Sequence, residues 1–235
     1  MVSRLPGAPT VGVLALQGGV AEHIAMVEAL GARAVAVREP DQFAGSDGSR
    51  VDALILPGGE SSAISRLLDV LDLREPLRSA IGSGVPTLGT CAGLILLAAR
   101  IHDPAPGQRG LGFLDVEVGR NAFGSQLASA EGGFAVDGVR GSGPGGLVRG
   151  ALIRAPEVRA VGPGARAIAT SGGRIVAVTS ADPDADARSD PGAPAEAGPD
   201  SGRPLGTATG VAFHPELSGD PALHRALLAR AAGTR

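Results

Sequence analysis

The stretch "VPTLGTCAGLILLAAR" (Val85–Arg100) decides how the rest of the chain is read. Val85–Gly89 is a short apolar run that suits a buried strand, and Ala92–Arg100 reads as the helix behind it. Between them stands Gly89-Thr90-Cys91-Ala92-Gly93, which holds the only cysteine of the chain. A tight strand-to-helix turn crowds its neighbours, so the positions two before and two after the turn residue must lack bulk. The same context holds the serine of a G-x-S-x-G elbow. A thiol placed there sits at a helix N-terminus, whose partial positive charge favours the thiolate. The pentapeptide alone leaves a second reading open, because free cysteines are often buried and pack as small hydrophobes.

Outward from that turn the pattern repeats. Upstream, "VGVLAL" (11–16), "AVAV" (34–37) and "ALILP" (53–57) are short apolar runs that read as strands. "AEHIAMVEAL" (21–30) has apolar residues three and four apart before Gly31, the pattern of a helix with a glycine stop. "SSAISRLLDVL" (61–71) follows Pro57-Gly58-Gly59 and reads as a helix capped by Ser61 or Ser62. A further helix covers residues 73–82. Downstream, "LDVEV" (114–118), "GLVRGALIR" (146–154), "RAIAT" (166–170), "RIVAVTS" (174–180) and "ATGVAFH" (208–214) read as strands, and Pro221–Ala232 as a last helix. Strands alternating with helices imply an α/β fold: a doubly wound, mostly parallel sheet flanked by helices.

Composition bounds the function. The 235 residues suit one domain, residues 10–235, after a floppy extension at 1–9. Hydrophobic residues are 43% and aromatics 2%, so the core rests on Val, Leu, Ile and Ala. The formal charge is −3, and the 21 basic residues, all Arg, form no run. That excludes the clustered basic face of a nucleic-acid binder. The apolar run after Cys91 stops at Arg100, short of the ~20 residues that span a bilayer, and no signal peptide is evident. One cysteine permits no internal disulfide and fits a reducing compartment, so a cytoplasmic location is expected. Residues 181–206 carry six acidic residues, two Arg and one large aliphatic, Leu205. Such a segment buries too little surface to offset its ordering entropy and reads as a disordered acidic insertion between two strands. "GVRGSGPGG" (138–146) reads as a shorter loop.

A thiol nucleophile needs a base, and the chain has four histidines. His23, His102 and His224 fall in or beside helices. His214 closes a strand and precedes Pro215, which keeps it extended. On extended chain, residues two apart point to one side, so Glu216 can reach His214 and orient it. Cys91, His214 and Glu216 then make a nucleophile, a base and an orienter. The plainer alternative is a strand-end histidine beside a solvated glutamate. "PGGES" (57–61) follows a strand, and Gly58 and Gly59 can offer backbone N–H groups to an oxyanion. Each such donor contributes about 2.7–4 kcal/mol at a transition state. Arg120 and Arg154 end apolar stretches and suit either the surface or a bidentate grip on a carboxylate. No metal-ligand spacing is present.

"GTCAG" with "HPE" resembles the triad class of glutamine amidotransferases. More narrowly, "VGVLALQGGVAEH", "LILPGGESSAI", "GTCAGLILLA", "LGFLDVEVGRNAFGSQ", "LIRAP" and "VAFHPEL", in that order, resemble the family of glutaminase subunits of pyridoxal 5′-phosphate synthase. The likeness covers residues 10–180 and 207–232. It implies a flavodoxin-like fold, no cofactor, and hydrolysis of L-glutamine to L-glutamate and ammonia. The ammonia would pass to a barrel-shaped synthase subunit within a large hetero-oligomer that makes the vitamin B6 cofactor. By the same likeness Cys91 attacks the side-chain amide, His214 shuttles protons and Glu216 orients His214. Gly59, Glu60, Ser61, Arg120, Ile153 and Arg154 hold glutamine. The Gly58–Gly59 peptide turns over to form the oxyanion site when the partner docks, and Gln17 lies near that partner. Two departures stand out: the insertion at 181–206, and Ser125 where the family often carries a basic residue. Other readings are the glutaminase of another amidotransferase, against which "PGGES" with "RAP" speaks, a silent regulatory subunit, or a cysteine peptidase on a similar fold.

Overall fold

β1 (Thr10–Leu14), α1 (Val20–Ala29), β2 (Arg33–Val37), β3 (Ala53–Leu56), α2 (Ser61–Val70), α3 (Arg74–Gly82), β4 (Thr87–Thr90) and α4 (Ala92–Leu97) alternate along the first half of the chain. After them come β5 (Ala98–His102), β6 (Leu114–Gly119), β7 (Ala130–Phe134), β8 (Val148–Leu152), β9 (Glu157–Val161), β10 (Ala165–Ser171), β11 (Arg174–Ser180), β12 (Ala208–Val211) and α5 (Ala222–Gly233). The structure is a computed structural model and describes residues 8–43, 51–120, 130–181 and 205–233. Residues 1–7 of the expected extension, residues 182–204 of the acidic insertion, and Ser125 lie outside the described residues.

The main sheet runs β2-β1-β3-β4-β12-β11-β9-β6-β5, with β10 paired to β11, while β7 and β8 form a separate ribbon. The pairs from β2 to β12 are parallel. Those from β12 through β11 and β9 to β6 are antiparallel, and β5 is parallel to β6. Every residue of β3, β4 and β12 is buried, as expected of strands covered on both faces. Leu54, Ile55, Leu56, Leu88, Leu94, Leu96, Leu97 and Phe213 are among the fully buried side chains. The core is thus largely aliphatic. α1 packs on β1 and β2, while α4 packs on β3, β4, β12 and α2.

Three local expectations are corrected. The helix after Cys91 ends at Leu97 rather than Arg100: Ala98 turns extended (φ −61°, ψ 146°), and Ala98–His102 pairs with β6. Ladder pairing at the sheet edge overrides the helix propensity of Ala98-Ala99-Arg100. The cap of α2 is Glu60, not a serine; its side chain accepts from the Ser62 N–H. The strand before His214 ends at Val211, and His214 joins an isolated bridge to Ala151. β7 and β9 carry no clear strand signal in "AEGGF" and "EVRAV"; their neighbours β8, β6 and β11 supply the hydrogen bonds.

Strand order reverses between β1 and β3, which makes that place a topological switch point. In an open parallel sheet, the crevice for a ligand lies there, beyond the carboxyl ends of the strands. Ala15–Gly19 leaves β1 at that end, Pro57–Glu60 leaves β3, Cys91 leaves β4 and Ala212–Glu216 leaves β12.

Candidate active site

Cys91 has φ 49° and ψ −100°, a backbone region costly for a residue with a Cβ, on the order of 1–3 kcal/mol. Its neighbours hold it there. The Cys91 N–H donates to the Val211 carbonyl at 2.8 Å, and the Cys91 carbonyl accepts from the N–H groups of Leu94 and Ile95 at 3.1 and 3.3 Å. The bracketing glycines are sterically required. A Cβ on Gly93 would stand 2.0 Å from the Leu56 carbonyl oxygen, and one on Gly89 would stand 2.6 Å from the Gly93 backbone. The turn therefore fixes the thiol at 8% residue exposure, at the edge of a cleft of about 390 Å³. That size lies within the usual range of small-molecule sites, about 300–1,000 Å³.

His214 reaches the same cleft from the other side. Its N–H donates to the Ala151 carbonyl at 2.9 Å and its carbonyl accepts from the Ala151 N–H at 3.2 Å, so β8 fixes its backbone. Phe213 anchors the segment further. It stacks on Phe134 with ring centroids 4.2 Å apart and packs against Gly150, where a Cβ would meet it at 2.3 Å. The His214 Nδ1 and Glu216 Oε1 are 2.7 Å apart, and the Glu216 side chain is fully buried. Burial opposes a charge on His214, but the neighbouring Cys91 and the hydrogen-bonded Glu216 outweigh it and push the imidazole up to about 10. The arrangement favours a charged imidazole beside the thiol, with the carboxylate behind it.

Gly58 lies against both reacting groups. A Cβ there would come within 2.2 Å of His214 Cε1 and 3.3 Å of Cys91 Cβ. Its N–H donates to Thr90 Oγ1 at 3.1 Å, and its carbonyl accepts from the Gly19 N–H at 3.3 Å. The loop after β1 closes on it: at Gly18 (φ 96°) a Cβ would overlap the Gly58 carbonyl oxygen at 1.6 Å. Gly59, Glu60, Ile153 and Arg154 line the cleft with Gln17, Gly18, Gly19 and Leu217. Hydrogen bonds from Ser62, with Arg120 and Arg154 nearby, hold the Glu60 carboxyl below its ordinary range despite some burial. The cleft rim thus carries an anion, Glu60, and a cation, Arg154. Two of the named residues stand back from the lining. The Ser61 hydroxyl is buried and accepts from Gln108 Nε2 at 3.0 Å. Arg120 donates to the Asp103 carbonyl at 3.0 and 3.3 Å, within electrostatic reach of Glu60.

Three residues carry more than the sequence reading assigned them. Gln17 Oε1 accepts from the Glu60 N–H at 2.6 Å, Thr90 holds the Gly58 amide, and His23 lies behind Glu216. Thr90 and Gln17 stand inside quoted motifs, where a polar residue next to a glycine turn is the available signal. His23 is an ordinary helix residue by pattern, and nothing local marks it. Among the described residues no cluster of His, Cys, Asp or Glu could hold a metal ion. No described helix is long and apolar enough to cross a membrane.

Comparison with known proteins bears on the family and the fold. The pyridoxal 5′-phosphate synthase subunit PdxT of Kineococcus radiotolerans is 45% identical over 223 residues, which is 93% of this chain and 92% of the relative. The protein of the same name from Leifsonia xyli subsp. xyli is 44% identical over 97% of this chain and 99% of the relative. A crystal structure described as a glutamine amidotransferase superposes with a TM-score of 0.74 at 35% identity, over 94% of this chain and 98% of that one. A putative GMP synthase subunit from Thermoplasma acidophilum shares the fold alone, with a TM-score of 0.58 at 15% identity. Residues 13–184 match the model of the SNO glutamine amidotransferase family, and the chain belongs to that family.

Proposed function

We propose that this protein hydrolyses L-glutamine to L-glutamate and ammonia with Cys91 as nucleophile, and delivers the ammonia to the synthase subunit of a pyridoxal 5′-phosphate synthase. The observation that carries the reading is one cleft lined by Cys91, His214 and Glu216, with the His214 ring hydrogen-bonded to Glu216 and Gly58 packed between it and Cys91. Membership of an amidotransferase family and the names of the relatives support the substrate and the partner.

The chemistry follows from the pair. The Cys91 thiolate attacks the side-chain amide carbon, and His214 gives its proton to the departing nitrogen, which leaves as ammonia. A thioester remains on Cys91. His214, now neutral, takes a proton from water as the water opens the thioester, and glutamate leaves. Glu216 keeps the imidazole oriented through both steps. Glutamine brings an α-ammonium and an α-carboxylate, which match Glu60 and Arg154 at the rim. Gly59 and Ile153 complete the wall, with Ser61 and Arg120 in support behind Glu60. The Gly58 N–H is turned onto Thr90, so a rearrangement of the Gly58–Gly59 peptide on docking is the step that would present an oxyanion donor. The partner is expected to be a barrel-shaped synthase subunit in a large hetero-oligomer in the cytoplasm, since only uncharged ammonia that travels directly is useful to the second site.

A glutamate-release assay of the assembled complex tests the reading. Cys91→Ala is expected to lower turnover by about three orders of magnitude or more. Unchanged ammonia release from that variant would overturn the assignment. Glutaminase turnover that is the same with and without the synthase would overturn the coupling.

A further inference from the structure

We propose that His23 is a positioning residue for this chemistry: one buried imidazole holds Glu216 behind His214 and, through Thr90, the Gly58 amide beside Cys91. The proposal rests on the glutaminase reading above.

His23 lies on α1 and is fully buried, as is His224 on α5. His23 Nδ1 is 2.9 Å from His224 Nε2. On its other side, His23 Nε2 is 3.2 Å from Thr90 Oγ1 and 3.6 Å from Glu216 Oε1. That oxygen is the one paired with His214 Nδ1, and that hydroxyl is the one that accepts from the Gly58 N–H. Both catalytic arms therefore approach a single ring nitrogen: Thr90 lies within hydrogen-bond distance, and Glu216 lies just beyond it, where the N–H dipole acts on its charge. His23 is absent from the cleft lining, so it cannot touch substrate and acts through its neighbours.

The direction of the hydrogen bonds follows from charge. A bare nitrogen lone pair facing the Glu216 carboxylate would be repelled, whereas an N–H dipole is attracted, so the hydrogen sits on His23 Nε2. His23 Nδ1 is then an acceptor and takes the hydrogen of His224 Nε2. This leaves His224 Nδ1 as a bare acceptor, and that atom has no hydrogen-bond partner among the described residues. An unpaired bare nitrogen costs less in the interior than an unpaired N–H. The groups facing His23 are His224 from α5, and His214 and Glu216 from the segment after β12. Burial, His224 and His214 all act to keep His23 uncharged. Glu216 Oε2 likewise has no partner among the described residues, so the carboxylate is oriented through Oε1 alone. Two leucines would fill the space between α1 and α5 without desolvating any nitrogen. A histidine pair there has a purpose when one ring must face a carboxylate and a hydroxyl while its far side is anchored.

The test compares His23→Leu with His23→Gln in the assembled complex by glutamate release, pH profile and thermal melting. His23→Leu is expected to lower kcat by about 10- to 100-fold through misplacement of the reacting groups. The KM for glutamine should stay within about twofold, because substrate contacts are intact. The alkaline limb of kcat/KM should move to lower pH, because a loosened Glu216 no longer supports the charge on His214. His23→Gln, which keeps an N–H donor near the Nε2 position, should restore most of kcat and the position of the limb. A folded His23→Leu with an unshifted limb, or a loss that His23→Gln does not relieve, would overturn the proposal. Should neither variant fold, nitrogen-15 spectra of the unaltered chain decide: hydrogen on Nε2 and not on Nδ1 of His23 supports it, and hydrogen on Nδ1 or on both nitrogens overturns it. Retained activity in Cys91→Ala would instead sink the glutaminase reading itself, while an inactive Cys91→Ala beside an unaffected His23→Leu would sink this inference alone.

Discussion

Two imidazoles approach the same carboxylate oxygen, and their surroundings drive them in opposite directions. His214 stands 2.7 Å from Glu216 Oε1, faces the open cleft with Cys91, and is pushed up to about 10. His23 stands 3.6 Å from the same oxygen, has no solvent on any side and faces a second imidazole, and is held well below the ordinary histidine range. Its partner His224 is lowered by burial to about 4, against the pull of Asp220. Burial opposes a charge on every one of these rings, and what lies beside each ring decides whether that cost is overcome. A thiol that can carry negative charge stabilises an imidazolium; another imidazole in a dry interior stabilises only a neutral ring. One layer of the site can therefore move protons at neutral pH while the layer behind it stays fixed.

Removing the shared anion breaks the contrast most severely. Glu216→Gln is expected to lower glutaminase turnover by about 10²- to 10⁴-fold, by the loss of imidazole orientation and charge support. The alkaline limb of the pH profile should move down from about 10. Steady-state assays across pH would check this, and an unmoved limb would mean that His214 draws its charge support from Cys91 alone.

Disturbing only the cleft layer should cost less. Gly58→Ala drives a methyl into His214 Cε1 and is expected to reduce turnover by about 100-fold, the scale of an ångström-sized misplacement. The layer behind should be spared, with melting of the variant retaining the acid sensitivity of the parent. Wild-type turnover would show that the loop moves aside at no cost.

The smallest effect lies in the rear layer and is read in stability. His224 has a lowered folded value, so the unfolded chain binds the proton first as pH falls. The stability tied to its neutrality is present above about 6.5 and is lost as pH drops through about 4. At pH 5 the loss from His224 is about 2 kcal/mol. For His214 the sign is reversed: its contribution is complete below about 6.5 and is lost as pH rises through about 10. Melting at pH 7.5 and pH 5.0 should therefore show a large drop for the parent and a smaller one for His224→Gln. Equal drops would place the acid sensitivity elsewhere.

Much of this architecture was readable residue by residue. The buried strands β1, β3 and β4 announce themselves as apolar runs closed by glycine, because strands covered on both faces have no polar side to show. The elbow at Cys91 was readable for a steric reason: only glycine fits at positions 89 and 93. β5 was missed because "AAR" favours helix and its partner β6 lies beyond a turn. The cap at Glu60 was missed because the serines that follow it are the more usual choice.

By itself, the sequence determined the parallel block of the fold, the strained turn that bears the thiol, and the pairing of His214 with Glu216 across Pro215, although Pro215–Gly219 forms a turn rather than the expected extended chain. Each is a matter of local sterics and periodicity. The tertiary structure alone decided which imidazole is charged and which is neutral. His23 and His224 are 201 positions apart, and only the packing of α1 against α5 brings them together behind Glu216. Electrostatic energies depend on distance and burial in space, and neither is written in the order of the residues.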